Sequence, residues 1–70
     1  MKRNNLRKLR RRLVLSQTEL AGLAHCSRAT IILIERLRHY PGQDVRARLS
    51  KALGISEAAI WPILEVTDGK

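Results

Sequence analysis

Two serines set narrow limits on how this chain can fold. Ser16 is followed three residues later by Glu19, and the pair reads as a capping box. The serine hydroxyl accepts from a free amide of the first helical turn, while the glutamate reaches back to the serine amide. Ser27 is the next residue placed to cap a helix. Between them, Gln17 to about Ala24 reads as one short helix, and Ala24, His25 and Cys26 leave room only for a tight turn before the next. Two helices joined so closely must cross at short range. A bulky side chain at Ala21 would push them apart, so its small size fits.

The second of these helices has a legible orientation. At about 100° per residue, Ile31 and Ile34 lie about 60° apart and define the inward direction. Ala29 and Arg36 then point nearly opposite, Ile32 and Leu33 lie about 130° to either side, and Arg28 is at the flank. The outward face is therefore Arg28, Ala29, Ile32, Leu33 and Arg36. An exposed apolar pair such as Ile32 and Leu33 signals contact with a partner, unless a later segment of the chain covers it.

The rest of the chain flanks this pair of helices. Asn4 or Asn5 caps a first helix whose apolar stripe is Leu6, Leu9 and Leu13, with Arg7, Lys8, Arg11 and Arg12 on its other faces. Tyr40-Pro41-Gly42-Gln43 fits a type II turn, after which Asp44 caps a fourth helix, Val45 to Leu53. Val45, Leu49, Ala52 and Leu53 form its inner stripe; Arg46, Arg48 and Lys51 face out, and Gly54 stops it. Ser56 caps a short fifth helix in which Ile60 and Trp61 pack, ended by Pro62. In the second helix Leu20, Leu23 and Ala24 share the inner side. Residues 63–70 hold strand formers without a partner strand. They pack on the core, pair with a second copy or stay loose. The expected fold is all-α, five helices in a single domain spanning 1–70.

Seventy residues bury only roughly 60 % of the unfolded surface, so the core is small. Cys26 is the only cysteine, which rules out an internal disulfide and suits a reducing compartment. The basic start, Met1 to Asn5, is not followed by the apolar stretch of a signal peptide, and the longest apolar run, Ile31 to Ile34, cannot span a bilayer. A soluble cytoplasmic protein is expected. The net charge is +8, and thirteen of the fourteen Lys and Arg residues fall within residues 1–51. A basic body of this kind points to a polyanionic partner. A helix, a turn of three or four residues and a second helix, here about residues 17–36, is the arrangement of the DNA-reading helix-turn-helix.

The chain resembles the Cro and lambda-repressor-like, or XRE-type, helix-turn-helix regulators. The match lies in Leu6, Arg10, Ser16-Gln17-x-x-Leu20-Ala21, Ser27, Thr30-Ile31, Ile34-Glu35, Pro41, Ala52-Leu53-Gly54-Ile55 and the Ile60-Trp61-Pro62 ending. It covers about residues 5–62. The resemblance implies a sequence-specific regulator that binds double-stranded DNA as a homodimer, with residues 28–36 in the major groove. Gln17 matches a position that holds a phosphate; Ser27, Arg28, Ala29 and Thr30 match the end of the recognition helix that approaches base edges. Ile32, Leu33, Arg36 and Arg38 extend that face, and Lys2, Arg3, Arg7 and Arg11 are candidates for phosphate contact. Arg10 and Glu35 match a structural ion pair. The fifth helix and the tail, Ile60 to Val66, are candidate dimer surfaces.

Three departures from the family pattern stand out. His25 occupies the place of a turn glycine, so either it takes the left-handed region or the turn differs. Leu37 replaces the glycine that ends the third helix, which allows that helix to run on through Arg38. Ile32 and Leu33 can touch thymine methyls but cannot form bidentate hydrogen bonds to guanine or adenine, which leaves direct readout to Arg28 and Arg36 and the rest to DNA shape.

Other classes have less behind them. A protein-interaction module on the same fold would dock its partner on Ala29, Ile32 and Leu33. An enzyme needs convergent titratable groups, and His25, Cys26 and His39 are the only candidates; they also fall short of a tetrahedral zinc set. No cofactor, metal, small-molecule ligand or membrane is expected. With only Tyr40 and Trp61 as aromatics, a stacking platform for single strands is not available either.

Overall fold

None of the helices in this chain is long enough to be stable alone, so each depends on the surface it buries against the others. The computed structural model describes residues 4–37 and 39–62. Five helices follow in order: α1 (Leu6–Arg12), α2 (Gln17–Ala24), α3 (Arg28–Glu35), α4 (Gln43–Leu53) and α5 (Glu57–Ile60). No strand occurs among the described residues. α2 packs against both α3 and α4, α5 lies on α4, and α1 lies on α3. Leu6, Leu20, Ala24, Ile31, Ile34, Leu49 and Ile60 are fully buried at the junction, with Ala21, Leu53 and Trp61 nearly so. Each large side chain buried in this way stabilises the fold by about 1.5–3 kcal/mol.

The serine caps fall where the spacing places them. The Ser16 hydroxyl accepts from the Glu19 amide at 2.9 Å, and the Glu19 carboxylate accepts from the Ser16 amide at 2.8 Å. The Ser16 amide, followed by its hydroxyl, holds the Glu19 carboxyl below its usual range. Ser27 and Ser56 cap α3 and α5 through the amides of Thr30 and Ala59. At α1 the two asparagines divide the work. Asn5 stands at the cap without a side-chain bond to the helix amides, while the Asn4 carboxamide oxygen accepts from the Leu6 amide at 3.0 Å. The Asn5 amide and side chain instead donate to the carbonyls of Ile60 (2.8 Å) and Ala59 (2.9 Å), fastening the start of α1 to the end of α5.

Several expectations need correction. α3 does not continue past Glu35: Arg36 caps it and Leu37 takes the left-handed region at φ 61°. The Leu37 amide and the Asn4 side chain both donate to the Ile34 carbonyl, the acceptor that a further turn would give to residue 38. Tyr40 to Gln43 is not a type II turn, because Gly42 is extended (φ −68°, ψ 171°) and is itself the cap of α4. The helix therefore starts at Gln43, and Asp44 sits inside its first turn beside Arg48. Arg46 and Arg48 do not simply face out. Arg46 donates to the Pro41 carbonyl, Gln43 and Glu57 and lies 4.9 Å from the Tyr40 ring centre. Arg48 donates to the Ala24 carbonyl at 2.9 Å, closing the end of α2 from across the core. Leu13 and Leu23, assigned to inner stripes, stay 46 % and 55 % exposed: Leu13 lies past the last residue of α1, and Leu23 lines an open cleft beside Arg48, Lys51 and Ala52 of α4 instead of entering the core.

His25 takes the left-handed region at φ 55°, as its place in the turn requires. Val14 does so as well, at φ 59°, and nothing in its side chain announced it. A β-branched residue is poorly suited to that conformation, which costs roughly 1–2 kcal/mol for an L-residue. Because Val14 is 87 % exposed, it returns no packing for this strain. Val14→Gly is therefore expected to raise the melting temperature by about 4–8 °C, a gain of about 1 kcal/mol, in a thermal melt followed by circular dichroism.

Candidate nucleic-acid interface

α3 presents its first turn to solvent because its two isoleucines, Ile31 and Ile34, are drawn fully into the core. Ser27, Arg28 and Ala29 are exposed, as is Arg36 at the far end, and Thr30 is half-buried. The Ser27 hydroxyl accepts from the Thr30 amide at 3.1 Å and shares a 2.9 Å hydrogen bond with the Thr30 hydroxyl. The shared bond uses one of the two hydroxyl protons, and the other stays available to donate outward. Arg28 is left as the long, unpaired donor of this turn.

The two apolar residues of the outward face part company. Leu33 is 46 % exposed, whereas Ile32 is half-buried in a cleft between α1 and α3. This cleft, about 390 Å³ in volume, is lined by Arg7, Arg10, Arg11, Gln17, Ile32, Glu35 and Arg36. Its floor is a network centred on Glu35. Arg10 Nε donates to Glu35 Oε2 at 2.6 Å and Nη2 to Oε1 at 3.1 Å; Gln17 Nε2 donates to Oε1 at 3.2 Å. Arg10 Nη1 donates to the Leu15 carbonyl at 2.8 Å, so this guanidinium is fully engaged. The Glu35 hydrogen bond pushes the Arg10 pKa up from its ordinary value. The side chains of the pair are only 11 % and 4 % exposed.

Arg7, Arg11 and Arg36 are different. Among the described residues none of their side chains has a hydrogen-bond or ion-pair partner, and all three are exposed around the rim of the cleft. Three unpaired guanidiniums over one saturated carboxylate make a strongly positive rim beside the exposed face of α3. Sequence reasoning had not joined Arg36 to the α1 arginines, because their meeting depends on how α1 crosses α3. Lys2, Arg3, Arg38 and the tail 63–70 lie outside the described residues.

The remaining chemistry-bearing residues stay apart from this face. Cys26 is half-buried, and burial pushes its thiol up, away from the reactive thiolate. His25 and His39 are exposed, and no cluster of His, Cys, Asp and Glu among the described residues is arranged to hold a metal ion. No helix of the described residues is long and apolar enough to cross a membrane.

Five helices with a capped, exposed third helix behind a tight turn define a helix-turn-helix protein. The family model for the helix-turn-helix domain matches residues 4–62, and the chain belongs to that family in its Cro and lambda-repressor-like form, a family of DNA-binding regulators. Among solved structures it is similar to the restriction-modification controller protein C.AhdI from Aeromonas hydrophila, at 31 % identity over 79 % of this chain and 83 % of that one, with a TM-score of 0.75. It shares its fold with the hypothetical transcription factor NHTF from Neisseria, at 24 % identity over 94 % of this chain and 76 % of that one, with a TM-score of 0.74. No curated protein matches the chain in sequence.

Proposed function

We propose that this chain is a sequence-specific transcriptional regulator that lays α3 in the major groove of double-stranded DNA. The observation that carries this reading is the pairing of an exposed α3 face with the unpaired Arg7, Arg11 and Arg36 beside it. Arg28 and the outward side of α3 meet base edges, while the α1 arginines and Gln17 follow the phosphate backbone. The Gln17 amide is aimed by Glu35, which leaves its second proton for a phosphate oxygen. The working form is a homodimer, since two recognition helices about 34 Å apart fit a two-fold operator. Its interface does not use Ile60 and Trp61, the start of the expected dimer surface, because both are buried in the core of their own chain.

The test is affinity, by fluorescence anisotropy, for the DNA upstream of the chain's own coding sequence and for a scrambled duplex of equal length. A dimer making on the order of six to ten phosphate contacts loses roughly a thousandfold or more between 50 and 200 mM salt. A preference of about a thousandfold for one duplex at fixed salt marks specific reading. Absence of binding to either duplex at low salt refutes the proposal and turns the Leu33 face into a protein-docking surface.

A further inference from the structure

Ala29 and Leu33 stand one helical turn apart on the exposed side of α3, where residues at this spacing are neighbours. The hydrogen-bonding capacity around them is thin. The Ser27 oxygen accepts from the Thr30 amide and shares a bond with the Thr30 hydroxyl, the Gln17 side chain gives one of its two amide protons to Glu35, and Ile32 lies half-buried against α1. The patch is thus apolar at its centre and flanked by the unpaired cations Arg28 and Arg36. Its complement is a partner that is polyanionic at the rim and apolar at one point inside. The major groove offers such a point, the C5-methyl group of thymine between two phosphate backbones.

Resting on the DNA-binding reading above, we propose that Ala29 and Leu33 read C5-methyl groups rather than base pairs. At the positions they touch, a T·A pair and a 5-methylcytosine·G pair are equivalent, and an unmethylated C·G pair is not. Both methylated pyrimidines project the same group from the same ring carbon into the groove. They differ beside it, where thymine presents an acceptor oxygen and cytosine a donor amine. Only a hydrogen-bonding side chain registers that difference, and neither alanine nor leucine has one. The small Ala29 side chain lets the backbone of α3 come close enough for Leu33 to cover the methyl. Cytosine methylation in the major groove therefore changes which sites this protein occupies.

The full chain is used to select duplexes from a random-sequence pool at low salt, and the enriched duplex is resynthesised with uracil in place of thymine. In further versions, the T·A pairs whose methyls matter are replaced by C·G or by 5-methylcytosine·G. Affinity is expected to fall about fourfold for each contacted methyl lost, the transfer free energy of one buried carbon. The 5-methylcytosine duplex is expected to bind within about twofold of the thymine duplex, and the unmethylated one no better than the uracil version. Leu33→Gln, at a half-exposed position, keeps the fold and binds the thymine and uracil duplexes alike. If the wild-type chain binds these two equally while still preferring the enriched duplex to a scrambled one, methyl reading is overturned and DNA binding stands. A Leu33→Gln chain that retains the thymine preference overturns the assignment to Leu33. Failure to enrich any duplex overturns both readings.

Discussion

Glu35→Ala is expected to destabilise the fold by about 3–5 kcal/mol, read as a lower urea midpoint with the buried Trp61 as the fluorescent reporter. The size of the effect comes from what the substitution leaves behind. Arg10 keeps its charge at any working pH and is mostly buried, and its only carboxylate partner among the described residues is Glu35. Around it stand Arg7, Arg11 and Arg36, so the orphaned cation also meets like charges. A domain of this size has a total stability of about 4–10 kcal/mol, and such a loss takes a third of it or more. The same argument predicts a rescue. Arg10→Met combined with Glu35→Leu removes both charges at similar volume, and the double variant is expected to recover most of the loss. A double variant no more stable than Glu35→Ala would mean that the network does more than pair two charges.

Arg28→Ala and the joint Arg7→Ala, Arg11→Ala substitution are expected to weaken DNA binding in two distinguishable ways. Arg28 is the unpaired donor of the α3 first turn, so its loss lowers affinity for the preferred duplex about ten- to a hundredfold and leaves the scrambled duplex much less affected. Arg7 and Arg11 lie on the cleft rim beside Gln17, so their loss weakens every duplex alike and lowers the salt slope by about two. Anisotropy titrations of both duplexes at several salt concentrations separate the two patterns. If Arg28→Ala instead weakened both duplexes equally, the first turn of α3 would be holding phosphates, not reading bases.

The residues behind both predictions are named by the sequence, the Arg10–Glu35 pair through the resemblance and Arg28, Arg7 and Arg11 among the candidate DNA contacts, but how they meet was not legible there. The serine caps, the helix spans of α2 and α3, and the inward direction of Ile31 and Ile34 follow from local rules, each satisfied within a few residues. What stayed hidden was decided between segments distant in sequence. The end of α3 depends on Asn4, thirty residues away from the Ile34 carbonyl it bonds, and the start of α4 is framed by Gln43 and Arg46 reaching Glu57 of α5. The left-handed turn at Val14 has no local cause in its side chain. In the candidate site, the separation of Ile32 from Leu33 was out of reach for the same reason. A helical wheel places both at equal angles from the core, and the crossing of α1 over one side of α3 breaks that symmetry.

The hydrogen bonds from Asn5 to Ala59 and Ile60 carry a consequence for how the molecule is born. α2 and α3 are adjacent in sequence and meet at small entropic cost, and Asn4 and Arg10 tie α1 to α3, but the Asn5 bonds close only when the last turn of α5 has arrived. During synthesis, the helix-turn-helix therefore emerges from the ribosome well before the bonds that fasten α1 to α5 can form. The cleft whose rim carries Arg7 and Arg11 is lined by residues 7–36 alone and held by the Arg10–Glu35 pair, so a nascent chain shorter than residue 60 already carries the cleft and α3 and lacks only the strap to α5. The fastening of the chain's start to α5 is then among the last contacts it makes, after the segment that carries its cations is already complete.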